Sequence, residues 1–244
     1  MGNLGIWNLS NAISVALLFL ALSFHNLLIA DIKFDDSFKS VVRELNESQI
    51  PRPQIRSWEK SQELVESIHF RIYDITKTIC SQENIQPNDC RWNNTVVRSP
   101  LFNAFIKGSG QIVVSTGLID KITYEDELAF VVAHEVAHQV LDHIDKNKGI
   151  VVAGTILAGL LLDDFIGGVV FGNGLGQVFS RKNESSADAL ALRIVLLAGY
   201  DPAKARYVLM RMAKMDVRLT SKFMQSHPSG IERIVMYDKI LGRL

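Results

Sequence analysis

A chain of 244 residues is long enough for one well-buried domain with a targeting segment, and two full domains would be crowded. Its 26 Lys and Arg residues balance its 26 Asp and Glu residues, so the net charge offers no electrostatic basis for binding nucleic acid. The hydrophobic content of 48% is high for a soluble protein, and the excess lies mainly in residues 12–30 and 150–172.

The first 30 residues carry no Asp, Glu, Lys or Arg, and an apolar run extends from Ile13 to Leu22. Ten apolar residues are too few for a comfortable membrane span and fit the core of a signal peptide. No Lys or Arg precedes the run, however, so residues 4–30 are alternatively an uncleaved N-terminal membrane anchor. We expect export in either case.

The two cysteines, Cys80 and Cys90, flank a Pro87-Asn88-Asp89 turn. An even count at close spacing in an exported chain predicts a disulfide that closes a small loop. Two unrelated thiols are the alternative.

Residues 31–56 are polar and are interpreted as a mature N-terminal segment or linker. From Ser57 to about Ser81, apolar residues recur every three to four positions, which predicts an amphipathic helix. Three β-prone runs follow, and they are Thr95–Val97, Phe102–Ile106 and Gln111–Ser115. A turn signal at residues 107–110 separates the last two runs and predicts an antiparallel hairpin.

The next predicted helix begins with Thr123 as N-cap and Asp126 as its capping-box partner, and it ends near Asp142. Later helices are predicted at 181–198, ended by Gly199; at 202–215, with Asp201 as N-cap and Pro202 in the first position; and at about 229–241. Residues 149–179 are apolar and glycine-rich but broken by Asp163-Asp164, so neither half reaches the ~20 residues of a membrane span. We interpret this stretch as a helical hairpin or a flap, with membrane dipping as the alternative.

The helix that follows Thr123 contains the motif His134-Glu135-Val136-Ala137-His138. Positions i and i+4 share one helix face, so the two imidazoles can bind a single zinc ion, with one coordination position open for water. Glu135 lies beside that position and can take a proton from the zinc-bound water and pass it to the leaving amine. The alternative is two histidines on a solvated face, but the apolar neighbours indicate a buried helix.

Zinc requires a third protein ligand, and Glu184 and Asp188 share a face of the helix that begins near residue 181. Glu184 can complete a His₂Glu set, while Asp188 can accept the outer N–H of a ligating imidazole. An ordinary acidic helix N-terminus explains the same pattern, and spacing alone does not separate the two interpretations.

Four motifs in order resemble the HtpX-like and CAAX-prenyl-protease family of zinc metallopeptidases, closest in type to its small exported, periplasmic BepA-like members. They are Asn103-Ala104-Phe105 with Gly110–Leu118, His134–His138, Glu184–Asp188, and Ser226-His227-Pro228 with Arg233. The resemblance covers about residues 60–240. The long membrane spans of the integral-membrane branches are absent from the sequence, as is a helical repeat array after residue 200.

The resemblance implies that His134, His138 and Glu184 bind one Zn²⁺ per chain, with Glu135 as catalytic base and Asp188 supporting a liganding histidine. It also implies that His227 donates a hydrogen bond to the oxyanion and that Arg233 supports the same region. The substrate would then pair with an edge strand at residues 111–115, which are Gln111, Ile112, Val113, Val114 and Ser115.

We therefore expect an α+β, mainly helical zincin-like domain with a small antiparallel sheet at 57–244, preceded by the targeting segment 1–30 and the segment 31–56. The expected function is a zinc endopeptidase that cleaves proteins or peptides in cell-envelope quality control, located in the periplasm and in one alternative anchored to the inner membrane. Membrane association would use residues 4–30 or 149–179. The competing function is a non-enzymatic, zinc-containing chaperone or binding protein.

Overall fold

The computed structural model describes residues 36–83, 85, 90–107, 110–141, 181–216, 227 and 230–242. The predicted signal peptide or anchor at 4–30 and the predicted hairpin or flap at 149–179 lie outside these described residues. Within the described ranges, no helix combines the length and the apolar character needed to cross a bilayer.

The described residues form eight helices and three short strands, which confirms the predicted α+β, mainly helical class. In chain order they are α1 (Asp36–Glu47), α2 (Trp58–Gln82), β1 (Asn93–Val97), β2 (Ala104–Ile106), β3 (Gln111–Ser115), α3 (Thr116–Ile119), α4 (Glu125–Val140), α5 (Arg181–Leu197), α6 (Pro202–Ala205), α7 (Tyr207–Asp216) and α8 (Ile231–Leu241).

Helix α2 is the amphipathic helix that the apolar spacing predicts. Ser57 caps it, its side chain accepting the Lys60 N–H at 3.3 Å. The buried positions recur at helical spacing, and they are Ser61, Val65, Ile68, Ile72, Thr76, Ile79 and Cys80. At its end, Cys80 forms a disulfide with Cys90, the two Cα atoms being 6.2 Å apart. The disulfide thus fixes the end of α2 close to the start of β1.

The sheet has the strand order β1-β3-β2, with β3 in the centre. Strands β2 and β3 pair antiparallel, as the hairpin prediction requires, whereas β1 pairs with β3 in parallel, so the sheet is mixed. The parallel pairing arises because residues 98–103 cross the end of β3 from one edge of the sheet to the other. Gly117 allows this crossing: its N–H donates to the Ser99 carbonyl at 2.7 Å, and a Cβ there would overlap the Pro100 main chain.

Helix α4 packs against α2, α5, β2, β3, α6 and α7. Because neighbours surround it, all its residues from Asp126 to His138 are buried, including the charged ones. The motif helix is therefore at the centre of the described core.

The start of α4 differs from its prediction by one residue. The helix begins after Tyr124, and the Glu127 carboxylate accepts the N–H groups of Thr123 at 2.8 Å and Tyr124 at 3.1 Å. The Thr123 hydroxyl instead donates to the carbonyl groups of residues 51 and 52, and Asp126 accepts the Asp201 N–H at 2.8 Å. The predicted capping box between Thr123 and Asp126 is wrong because both side chains form hydrogen bonds with residues more distant in sequence.

Residues 36–57, which we call the N-terminal strap, contain α1, a helix that the sequence interpretation did not anticipate. Arg206 holds α1 through two contacts of 2.7 Å to the Glu44 carboxylate, and it also binds Asp238 on α8 at 2.6 and 2.8 Å. Further along the strap, the Gln54 N–H donates to the Ile122 carbonyl at 3.0 Å. The strap is thus bound to the core over its length.

The later helices follow the predictions closely. Helix α5 ends before Gly199, which has a φ of +75°, and the Asp201 carboxylate caps α6 by accepting the Ala203 N–H at 2.9 Å. The helix predicted at 202–215 is divided into α6 and α7 at Arg206. There the main chain tightens, because the Leu209 N–H bonds to the Arg206 carbonyl, three residues back, at 3.1 Å.

Candidate metal centre

Two histidines one turn apart on α4 point their rings at the same place. The Nε2 atoms of His134 and His138 are 3.0 Å apart, and both side chains are buried. Two ring nitrogens cannot meet at this distance with both lone pairs facing each other, so a proton or a cation must lie between them. The i, i+4 spacing has therefore produced the shared binding point that the motif predicts.

Helix α5, which packs along α4, brings a carboxylate to the same point. Glu184 is buried, and its two oxygens lie 3.2 Å from His138 Nε2 and 3.4 Å from His134 Nε2. His227 adds its Nδ1 at 3.1 Å from Glu184 and 3.3 Å from His134 Nε2. One ligand atom from each of these four residues lies within 4.8 Å of the others, so these described residues could hold a metal ion, and we call them the metal-binding group.

The spacing of these atoms fits zinc. Bonds of about 2.0–2.1 Å at tetrahedral angles place neighbouring ligand atoms about 3.3–3.4 Å apart. The distances between the nitrogen and oxygen atoms of these four side chains run from 3.0 to 3.4 Å. Two imidazoles, a carboxylate and a third imidazole form a nitrogen and oxygen donor set that suits Zn²⁺.

The charge balance also fits a divalent cation. Glu135, Glu184 and Asp188 are buried together, and Arg233 is the buried guanidinium that faces two of them. With neutral histidines these described groups carry two net negative charges, which one divalent ion neutralises. Burial favours neutral His134, yet the Glu184 and Asp188 carboxylates outweigh burial and raise the pKa of His134 to about 9. The two carboxylates thus favour positive charge at His134.

Glu135 lies beside the metal-binding group and is not part of it. Its Oε2 accepts the main-chain N–H of Ile106 at 3.1 Å, and its Oε1 is 3.4 Å from His227 Nε2. Burial raises the pKa of Glu135, although the nearby imidazoles of His227 and His134 oppose the shift. A buried carboxylate held next to the ligands is placed to accept and return a proton.

Asp188 meets the other side of the His134 ring. Its Oδ1 lies 2.9 Å from His134 Nδ1, so His134 uses one ring nitrogen for the carboxylate and the other for the metal-binding group. Burial would raise the pKa of Asp188, but the charge of Arg233 and the contact with His134 lower it. The structure thus brings Asp188 to the place that the sequence predicts for it.

Arg233 is the buried cation of this centre and contacts two of its carboxylates. Its Nε and Nη2 donate to the two oxygens of Asp188 at 2.8 and 2.6 Å, and its Nη1 lies 3.2 Å from Glu184 Oε2. These carboxylates raise the pKa of the guanidinium despite its burial. Because its nitrogens face these acids, Arg233 holds the carboxylates of Asp188 and Glu184 in place, and its support of the oxyanion region stays a prediction.

The structure also corrects the prediction that residues 111–115 form an edge strand for substrate. Residues Gln111, Ile112, Val113, Val114 and Ser115 form β3, which pairs with β1 on one side and β2 on the other. A central strand has no unpaired edge for a substrate, so the prediction for 111–115 is wrong. The strand next to α4 is β2, and its Ile106 N–H reaches Glu135. Sequence reasoning missed this donor because main-chain groups leave no residue pattern.

Comparison with known proteins agrees with this centre. The profile of Peptidase family M48 matches residues 70–240. The chain is 34% identical to the mitochondrial metalloendopeptidase OMA1 of Arabidopsis thaliana, covering 58% of this chain and 30% of that protein. It is 29% identical to the metalloprotease LoiP of Escherichia coli, covering 67% and 66%, and 27% identical to a putative beta-barrel assembly-enhancing protease of Vibrio cholerae, covering 57% and 32%.

Several of these relatives are longer than the part that matches. The chain spans 30%, 46% and 62% of the OMA1 proteins of Arabidopsis thaliana, Schizosaccharomyces pombe and Saccharomyces cerevisiae. The family match nevertheless covers more than half of this chain and includes every residue of the buried centre. The resemblance seen in the motifs is confirmed, and the chain belongs to Peptidase family M48.

Proposed function

We propose that the chain is a zinc-dependent endopeptidase that cleaves proteins in the cell envelope as part of quality control. The observation that carries the proposal is the buried His134, His138 and Glu184 set with Glu135 beside it. A purely structural zinc site would gain nothing from an additional buried carboxylate, whereas a hydrolytic site needs one. Two bacterial relatives, named a metalloprotease and a putative beta-barrel assembly-enhancing protease, support the protease activity.

The roles of the residues follow from their contacts. His134, His138 and Glu184 would hold the ion, which supplies Lewis acidity toward the peptide carbonyl and the attacking water when it is bound. Glu135 takes the proton from the attacking water and delivers it to the leaving amine. Asp188 fixes the His134 ring, and Arg233 neutralises the buried acids while keeping Asp188 in place.

For the substrate, β2 offers an edge next to Glu135 that pairs with no further strand among the described residues. An extended peptide that pairs with Ala104 would use main-chain hydrogen bonds, which suit many sequences. This edge lies beside the motif helix, whereas β3 is enclosed by its neighbours. We therefore assign the substrate-binding edge to β2.

The test of the function is cleavage of casein with and without a zinc chelator. We expect the zinc-loaded protein to cleave casein, the chelator to abolish cleavage, and zinc added in slight excess to restore it. Restoration is the control, because it separates metal loss from irreversible unfolding. A protein that binds one zinc ion and cleaves neither casein nor a set of unfolded peptides would point instead to the chaperone or binding function. N-terminal sequencing of the exported protein would show whether residues 1–30 are removed or retained as an anchor.

His227 can be tested by a single substitution. We propose that it donates to the oxyanion, although its Nδ1 also lies within the metal-binding group. As an oxyanion donor, His227→Ala should lower kcat by about 10²–10³ and leave the affinity for zinc unchanged. Zinc affinity measured by chelator competition checks this. A fall in zinc affinity with a smaller effect on kcat would assign His227 as a fourth ligand.

A further inference from the structure

The catalytic carboxylate is held by the main chain of the sheet as well as by its own helix. Glu135 Oε2 accepts the Ile106 N–H at 3.1 Å in a buried contact between residues 29 positions apart. Its other oxygen, Oε1, faces His227. The bond to Ile106 thus decides which way the carboxylate turns.

The direction of the Ile106 N–H follows from the register of the hairpin. Ser115 donates its N–H to the Asn103 carbonyl at 3.1 Å, and Lys107 donates its N–H to the Gln111 carbonyl at 2.9 Å. In an antiparallel pair, residues alternate between bonding to the partner strand and pointing away from it. Residues 103, 105 and 107 therefore bond to β3, while the main-chain groups of Ala104 and Ile106 point away from it.

The main-chain groups that β2 directs away from β3 thus have two roles, which are holding Glu135 and pairing with substrate. The Ile106 N–H is occupied by Glu135, whereas the N–H and C=O of Ala104 lie on the same outer edge. A substrate strand that adds to this edge can bond to Ala104 and to the Ile106 C=O, but it cannot also take the Ile106 N–H without releasing the base.

We infer that the Ile106 amide positions Glu135 and at the same time ends the substrate-pairing edge. The inference rests on the proposed peptidase function. The substrate pairs with β2 at Ala104, and its pairing with β2 ends at Ile106. There the next peptide group of the substrate lies against Glu135. The contact that orients the base therefore also sets the register of the peptide to be cut.

Proline at 106 tests the amide without breaking the hairpin. Ile106→Pro removes the N–H that reaches Glu135, and proline is tolerated where a strand N–H points away from the ladder. Ile106→Ala keeps the N–H and measures the loss of the side chain alone. We expect kcat of Ile106→Pro to be about 10–100-fold below that of Ile106→Ala, because a displaced catalytic group costs on this order. The KM values of the two variants should agree within about threefold.

Ala104→Pro removes the other outward N–H and should act mainly on KM. A second readout is the Kd of an uncleaved fluorescent peptide, measured in zinc-loaded protein that carries Glu135→Gln. In that background Ala104→Pro should weaken peptide binding, while Ile106→Pro should bind like Ile106→Ala. One bound zinc ion per chain in each variant shows that the centre is intact.

Equal kcat values for Ile106→Pro and Ile106→Ala would overturn the inference while leaving the peptidase function standing. If the proline variant fails to bind zinc, the isoleucine α-hydroxy acid at 106 replaces the N–H with an oxygen and keeps the side chain. The same loss of kcat is expected for it, and wild-type kcat in that protein would overturn the inference. If the wild type cleaves no substrate, the proposed function fails before this comparison is reached.

Discussion

Glu135→Gln is expected to lower kcat by about 10²–10⁴, because glutamine cannot accept the proton of the attacking water. The change preserves size, and the amide oxygen can still accept the Ile106 N–H, so the side chain should keep its place. The variant should therefore still bind one zinc ion. Peptide hydrolysis at saturating substrate, together with zinc measured by atomic absorption, checks both expectations.

The control is the zinc content of folded Glu135→Gln compared with that of the folded wild type. Loss of activity together with loss of zinc would place Glu135 among the ligands instead of beside them. Activity near that of the wild type would contradict its role as the base, and it would leave the buried carboxylate without a function.

The second large effect is expected at Arg233. Arg233→Met leaves the carboxylates of Asp188 and Glu184 buried without their cation. Removing one partner of a buried charge pair costs about 3–5 kcal/mol, so the free energy of unfolding should fall by this order. The affinity for zinc should also fall about 10–100-fold, because Asp188 would no longer be held against the His134 ring. Denaturant unfolding and chelator competition measure the two effects.

Arg206→Met is the matched control for Arg233→Met. Arg206 also binds two carboxylates, those of Glu44 and Asp238, but neither belongs to the metal centre. Its loss should lower the free energy of unfolding and leave the affinity for zinc unchanged. If both variants changed stability alone, Arg233 would have no specific part in holding the ligands.

The parts of the centre that sequence reasoning predicted are those set by one helix at a time. His134 and His138 meet because four residues make about one turn, and Glu184 and Asp188 share a face for the same reason. The periodicity of α2 and the cap of α6 are local in the same sense. Such features depend on neighbours within a few positions, which a sequence displays directly.

The errors lie where distant segments meet. The place of β3 in the sheet depends on residues 98–103 crossing its end, which strand propensity cannot show. The contacts of Arg233 with Asp188 and Glu184 cannot be predicted from spacing, because these partners are 45 and 49 positions away in sequence. The sequence predicts Thr123 as a helix cap, because spacing alone does not reveal its hydrogen bonds to the N-terminal strap. In each case the observed partner is distant in sequence, whereas the prediction used a partner close in sequence.

The N-terminal strap has a consequence for how the protein can be divided. The family profile begins at residue 70, yet the Pro51 carbonyl accepts from both Thr123 and Arg211. Arg211 in turn binds Glu127, the buried residue that caps the motif helix. A fragment trimmed to the residues that the profile matches would leave the Thr123 hydroxyl and the Arg211 guanidinium without this acceptor at the start of α4. We therefore expect a stable fragment of this chain to reach back through residue 51, before the residues that the family profile matches.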